Sequence, residues 1–580
     1  MTEASSLAAT PPAAMAWKGL RAPFRSRLVQ WGMFLFTIVL IVGPLFPLVY
    51  QSFTDKALYD TGQSLTLENY ANVFASSSFR TAATNSLIYA CLATIVSQVI
   101  GALQAVLLER TNIPGRRIIG LFVLWPLFIS PLVTAFGWSI LYGGAGYITS
   151  FVKDIFGNAP WNLQSLMGMA VIGGILNAPI TLLYCRGAIA LSDPSMEDAA
   201  RSCGAPPLTI IRRITLPLLG PAIIFSGMIN FIGALETLSI PLIFGEPAGI
   251  TLLMPLLYNQ ALGTISPDYG LVAAASMLLL GIVVLLLILQ SRLVGDPQRY
   301  RSVSGKASRK TTFDIGVLRW PAAIFMGAYV TAFIILPMAA IFLRGFVSVL
   351  TPLIPIWEVF TLDNFYRLIE VPRLQRAFVN STLLAAVGGA LIAGLAGLVT
   401  LICYRSDFRF RGLLRFVAMI PQAVPGMIAG IAFLYTVLMV PGLAVLTTTL
   451  FIFVVAYAGR FLPVALGAIY PTLTQIGPDL DRSARTMGAD WWFASRRILL
   501  PLMMPALMSA YILIFVQTMR EYTVALFLVA PGTEVISITM LRAWAQGDVG
   551  IAAVMSAAQT MIIALFLIVT RRLNSPKRTA

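Results

Sequence analysis

The sequence predicts an all-α membrane protein of about twelve spanning helices, built as two six-helix halves in parallel orientation. Three observations predict it. First, 58% of the 580 residues are apolar and only 11% are charged, with a mean hydropathy of +0.84. A soluble chain of this length needs far more charge on its surface. Second, apolar runs of about 20 residues recur, each long enough to cross a hydrocarbon layer ~30 Å thick. Backbone polar groups in lipid must be paired within their own segment, so these runs are helices. Third, landmarks of the first half return in the second: Asn69-Tyr70 as Asn364-Phe365, Asn85-Ser86 as Asn380-Ser381, Pro126 as Pro421 and Pro179 as Pro463.

Taken in order, residues 1–30 form an Ala-, Pro- and Arg-rich tail. Spans are expected at 31–51, 83–108, 118–141, 165–190, 219–244 and 271–292. The first of these shows no cleavage site and reads as an uncleaved helix. The first half thus covers 31–292, with its core at about 80–290. A linker at 293–319 carries Gly, Ser and Pro with six Lys or Arg, and reads as a flexible tether; a basic regulatory segment is the alternative. The second half covers 320–572, with its core at about 375–572 and spans at 320–343, 378–402, 413–436, 447–470, 505–530 and 551–571. A short tail, 573–580, follows. Early landmarks are offset by 295 positions and later ones by 284, so the first half holds eleven additional residues, assigned to an external loop around Tyr142–Leu163. Six spans per half keep both halves the same way up. Their pseudo-twofold axis then runs along the membrane normal, with a shared path at the interface.

The net charge is +16. Roughly 30 of the Lys and Arg fall on one alternating set of loops, the positive-inside bias that sets topology. That set includes both termini, which are therefore expected in the cytoplasm. The distribution points away from nucleic acid. Histidine is absent and the four cysteines, at 91, 185, 203 and 403, show neither a disulfide framework nor metal-ligand spacing.

Two of the expected cytoplasmic loops are copies of one another. Glu197-Asp198-Ala199-Ala200-Arg201-Ser202-Cys203-Gly204-Ala205 returns as Asp481-Arg482-Ser483-Ala484-Arg485-Thr486-Met487-Gly488-Ala489. Each runs on into Arg-Arg-Ile-x-Leu-Pro, ending at Pro217 and Pro501. The pattern predicts two short helices around a glycine. Pro194 and Pro478 suit the opening turn, Gly204 and Gly488 a left-handed stop, and Pro206-Pro207 or Asp490 the restart. Leu-Pro is expected to end the second short helix before the next span. Such a unit makes a knob with small residues on one face, suited to a groove on a partner protein. The competing reading is an amphipathic loop lying on lipid headgroups through Arg212-Arg213 and Arg496-Arg497.

These residues resemble the EAA loop of binding-protein-dependent ABC importer permeases, of the form E-A-A-x-x-x-G-A-x(9)-I-x-L-P. The first copy carries Glu197, Ala199, Ala200, Gly204, Ala205, Ile214, Leu216 and Pro217. The second carries Ala484, Gly488, Ala489, Ile498, Leu500 and Pro501, with Asp481 and Ser483 at the Glu and first Ala positions. The resemblance implies the type I importer permease fold, in a bacterial inner membrane. It also implies that Glu197, Ala200 and Gly204, with Asp481, Ala484 and Gly488, make or shape the contact with a cytoplasmic ATPase homodimer. The Asp481 and Ser483 departures leave the two contacts unequal. No G-x-x-x-x-G-K-[ST] phosphate loop is present, since Gly305-Lys306 is followed by Ala307. The chain is thus expected to be a transport subunit and not an enzyme, without a cofactor of its own. ATP and Mg would belong to the partner ATPase.

Charged residues inside the spans are the path candidates. Glu236 and Glu521 occupy matched positions in the fifth span of each half; Arg520 adjoins Glu521, and Arg460 lies in the tenth span. Intramembrane ions face an interior pathway or pair with one another. One reading is an interhelical pair, Arg460 with Glu521, that fixes packing; the other is a path lined by carboxylates that suits a cationic or metal cargo. Two carboxylates do not make a metal site. Arg520-Glu521-Tyr522 through Leu526-Phe527-Leu528, then Pro531-Gly532-Thr533-Glu534-Val535, resembles the fused two-domain permeases of the iron(III) importer group, which implies ferric iron; thiamine, polyamine and phosphonate are the alternatives among relatives. A periplasmic binding protein would deliver the cargo, and the external segments 52–82 and 344–377, with Asp55, Asp60, Glu68, Asp363 and Arg367, are candidates for its docking or are ordinary solvated loops. The rival function is a twelve-span secondary transporter driven by an ion gradient, which does not predict the repeated knob. A channel is disfavoured by the lack of a filter-like segment.

Overall fold

The computed structural model describes residues 24–58, 60–192, 195–264, 267–294, 312–350, 354–477 and 479–574. Pro194 and Pro478, the linker stretch 295–311 and the tails 1–23 and 575–580 lie outside the described residues. Helices dominate, and the described residues contain isolated bridges but no strand. Among the described residues nine helices are long and apolar enough to cross a membrane, or up to thirteen spans if each of four bent pairs counts as one.

The bent pairs correct the expected spans. Those at 118–141 and 413–436 are each broken: Arg116–Leu127 meets Pro131–Phe156 at 108°, and Arg411–Ala423 meets Gly426–Met439 at 109°. Proline is the cause in both. Pro131 and Pro425 hold the residues before them, Ser130 (ψ 134°) and Val424 (ψ 113°), outside the helical region. Expected spans 219–244 and 505–530 end early, because Leu216–Leu235 stops at Glu236 and Met504–Arg520 stops at Glu521. Separate short helices follow: Pro241–Ala248 bent by 87° against Leu253–Gly263, and in the second half Ala525–Leu528, which the expected span 505–530 merges with its helix, and Ile536–Ala545. Nor does Leu-Pro end the helix after the first repeated loop. Pro207–Leu235 runs through as one apolar helix, and a π-turn at Ile211–Thr215 accommodates the proline that follows it. In the second copy the corresponding helix bends by 72° between Leu502 and Met504.

The duplicated Asn-Ser landmarks do the same work in each half. Ser86 Oγ accepts from Leu253 N at 2.7 Å and Ser381 Oγ from Ile536 N at 2.8 Å. Asn85 donates to Thr251 O at 3.1 Å and Asn380 to Glu534 O at 2.9 Å. Each pair thereby satisfies an orphan N–H at the start of the short inserted helix and fastens the segment leading into it.

The first helix of each half lies against the other half. The leading helix begins at Phe24, so residues 24–30 belong to it and not to a tail. Its Trp31 and Phe34 pack on Phe408, with ring centroids 5.4 and 5.6 Å apart. In return, Gly316–Gly345 crosses Pro131–Tyr142. Tyr142 O–H donates to Ala332 O at 2.8 Å, and a Cβ on Gly137 would sit 2.3 Å from Pro337 O. The end of the linker is also part of the fold. Phe313 N–H donates to Arg110 O at 2.7 Å, and Asn112 Nδ2 donates to Asp314 Oδ1 at 2.8 Å.

Candidate functional site

Both repeated loops fold as the short helix and glycine stop that their residues dictate. Ser195–Ser202 and Asp479–Thr486 are the helices. Gly204 and Gly488 follow with φ of +78° and +90°. Ala205 N donates to Ala200 O and Ala489 N to Ala484 O, both at 3.1 Å, while Gly204 N donates to Arg201 O and Gly488 N to Arg485 O. This is the Schellman arrangement, in which a left-handed residue closes the last turn. It gives Ala200 and Ala484 a defined part: their carbonyls are the ones closed. At the restart of the second copy, Asp490 Oδ1 accepts from Phe493 N at 2.8 Å.

The acidic residue of each loop points inward. Glu197 is buried and lies 3.2 Å from the Arg110 guanidinium, which also donates to Ser192 Oγ at 2.6 Å. Thr215 Oγ donates to Glu197 Oε1 at 2.8 Å. Asp481 likewise meets Arg405 at 3.1 Å, and Arg405 donates to the carbonyls of Leu473 (2.9 Å) and Ile476. Arg110 and Arg405 are the last residues of the helices Ser77–Arg110 and Gly389–Arg405, and they are separated by the same 295 positions as the early landmarks. Outward the loops present apolar residues, Met196, Leu208, Leu480, Phe493 and, at 88% exposure, Met487, beside the charged Arg201, Asp479 and Arg482.

At the junction of the halves, Arg460 lies between both glutamates. Its Nε is 3.4 Å from Glu521 Oε2 and its Nη2 is 3.6 Å from Glu236 Oε2. Nη1 donates to Val424 O at 3.2 Å. Glu521 Oε1 accepts from Thr523 N (2.8 Å), Val524 N (3.1 Å) and the Thr523 hydroxyl, so this carboxylate caps the turn that follows its helix. Arg520 turns away and donates to Leu127 O of the first half. A cavity of about 360 Å³ surrounds the group, with Asn177 and Glu236 on one side and Gln517, Arg460 and Glu521 on the other.

Two of the external candidates, Asp55 and Arg367, are paired within the chain. Asp55 accepts from Ser64 N and Ser64 Oγ, both at 2.8 Å, and these bonds hold its carboxyl below the ordinary range. Arg367 pairs with Asp548.

The model of the family described as "Binding-protein-dependent transport system inner membrane component" matches twice, over residues 97–295 and 386–575. The chain belongs to this family. The permease is 27% identical over 512 residues to the ferric transport system permease protein FbpB of Actinobacillus pleuropneumoniae, covering 86% of this chain and 71% of the relative. It is 26% identical over 559 residues to a protein of Sinorhizobium fredii named "Probable ABC transporter permease protein y4fN", covering 93% and 94%. A third relative, the Fe(3+)-transport system permease protein FbpB 2 of Haemophilus influenzae, is 23% identical over 470 residues, covering 79% and 82%.

Sequence reasoning missed Arg110 and Arg405 as partners of the loop acids, and it missed that Arg460 reaches Glu236 as well as Glu521. The shared 295-residue offset of the two arginines was a usable signal. The bridge to Glu236 had none, because it joins helices far apart in the permease chain.

Proposed function

We propose that this permease forms the path of an ATP-driven importer for ferric iron delivered by a periplasmic binding protein, with both termini in the cytoplasm. The two repeated loops are the docking knobs for a separate ATPase dimer, which holds the ATP and Mg. The observation that carries this reading is the matched pair of knobs. Each has a glycine-closed helix, an acid locked to the arginine that ends an earlier span of its half, and exposed apolar residues. A lipid-lying loop has no use for a buried acid–arginine lock. An exposed methionine or leucine on a rigid turn suits a protein groove.

On this reading Glu197 and Asp481 shape the knob from within, Ala200 and Ala484 with Gly204 and Gly488 set its end, and the apolar residues make the contact. Glu236, Glu521, Arg460 and Arg520 line the path. Iron as the cargo is supported by the names of two relatives and by the carboxylates, since hard cations favour oxygen ligands. The test is reconstitution in proteoliposomes with the co-purified ATPase and an iron-loaded binding protein. Iron uptake that requires ATP and both partners is expected; uptake driven by an ion gradient alone, indifferent to ATP, would sink the reading.

A further inference from the structure

The central charges are not symmetric. Each half supplies one carboxylate, at matched positions 236 and 521, but the guanidiniums come from the second half alone. Arg460 corresponds to Leu176 at the 284 offset, and Arg520, matched through the acids that end the two helices, 285 positions apart, corresponds to Leu235. A single arginine has been inserted between a symmetric pair of acids.

The two acids are also held differently. Glu521 is fastened to its own turn by the Thr523 and Val524 amides. Glu236 is held from across the interface by Arg460. Gly426 leaves room for that guanidinium: a Cβ there would fall 2.5 Å from Arg460 Cζ and 2.5 Å from Thr523 Oγ1. When two halves rock apart around a fixed site, contacts across the interface break while contacts within a half persist. Glu521 therefore keeps its partners and Glu236 loses Arg460. A carboxylate left unpaired in a low-dielectric site is strongly unfavourable. A cation in the cavity removes that penalty.

We propose that Glu236–Arg460 is the latch closing the path between the halves, and that a cation entering the cavity takes over the Glu236 carboxylate as the latch opens. The inference rests on the path reading given above. Arg460 is then a tethered counter-ion standing where a cationic cargo will stand. It is a positioning residue for the closed state, and Glu236 selects for positive charge.

The test uses the full chain in liposomes with entrapped calcein and external Mn²⁺ as the probe, without ATPase. Arg460→Gln leaves two carboxylates without their counter-ion, and passive Mn²⁺ entry should rise at least tenfold, whereas Arg460→Lys should stay near the unaltered chain. Glu236→Gln, which is isosteric, removes both latch and cation partner: Mn²⁺ entry should stay low. In the complex with ATPase, that same variant should hydrolyse ATP several-fold faster without binding protein. The proposal is overturned if Arg460→Gln is as tight to Mn²⁺ as the unaltered chain, if it leaks iodide in preference to Mn²⁺, or if Glu236→Gln still needs binding protein for hydrolysis. Failure of the unaltered chain to bind any ATPase would strike the importer reading and leave the leak experiment standing.

Discussion

Arg110 and Glu197 lie 3.2 Å apart with both side chains almost fully buried, joining the end of one span to the helix of the first repeated loop. Arg405 and Asp481 repeat the relationship at 3.1 Å in a slightly more open setting. The loop acids act through this lock. Removing one partner of a buried pair costs about 3–5 kcal/mol, because the other charge is left uncompensated. Arg110→Ala should therefore lower the thermal midpoint and weaken ATPase association. Arg110→Ala with Glu197→Ala should recover much of the stability. A double variant no better than the single would show that the pair is not coupled.

The glycine stops should respond to conformation and not to crowding. Nothing lies within 4 Å of a Cβ built on Gly204 or Gly488, yet their positive φ disfavours a side chain by about 1–2 kcal/mol. Gly204→Val and Gly488→Val should reduce ATPase association in pull-downs while the spans stay inserted. Asn, which tolerates the left-handed region, should be milder. Equal effects of Val and Asn would count against this account.

Met487 is the most exposed apolar residue of the second knob. Met487→Glu should weaken ATPase binding about tenfold or more, as expected for a truncated apolar anchor worth ~1.4 kcal/mol. The melting temperature should be unchanged, which separates a contact residue from a folding one. A matching change at Met196 tests the first knob. No loss at either site would remove the apolar face from the interface.

Gly137→Ala should destabilise the bundle. The added carbon would meet Pro337 O at 2.3 Å, and overpacking of this kind costs about 1–3 kcal/mol. The expected readout is a lower thermal midpoint in detergent with a bent helix that still inserts. An unchanged midpoint would mean that Pro131–Tyr142 and Gly316–Gly345 separate without loss.

Much of this was legible in the residues. The knobs were, because Gly204 and Gly488 announce a left-handed stop and their surroundings recur. Apolar length located the spans, and the matched positions of Glu236 and Glu521 marked the charged group between the halves. The breaks were harder. Pro131 and Pro425 sit among apolar neighbours, and hydropathy averages over a bend; only the restriction on Ser130 and Val424 records it. Glu236 and Glu521 were read as interior to spans, whereas the helices end there. The exchange of first helices had no local signal, since a lipid-facing and a protein-facing apolar side chain look alike in a sequence.

That exchange bears on how the chain is made. Ser26 Oγ donates to Asp490 Oδ2 at 3.0 Å, across 464 residues of sequence, and Trp31 finds its aromatic neighbours on Phe408 and Phe410. Synthesis proceeds at about 5–20 residues per second, so the leading helix waits in the bilayer for tens of seconds before its partners emerge. During that interval its aromatic face meets only lipid. A chain interrupted within the linker would still hold, in each piece, a helix whose seat is on the other. Two such pieces made together should find each other, and either one made alone should be a substrate for membrane quality control.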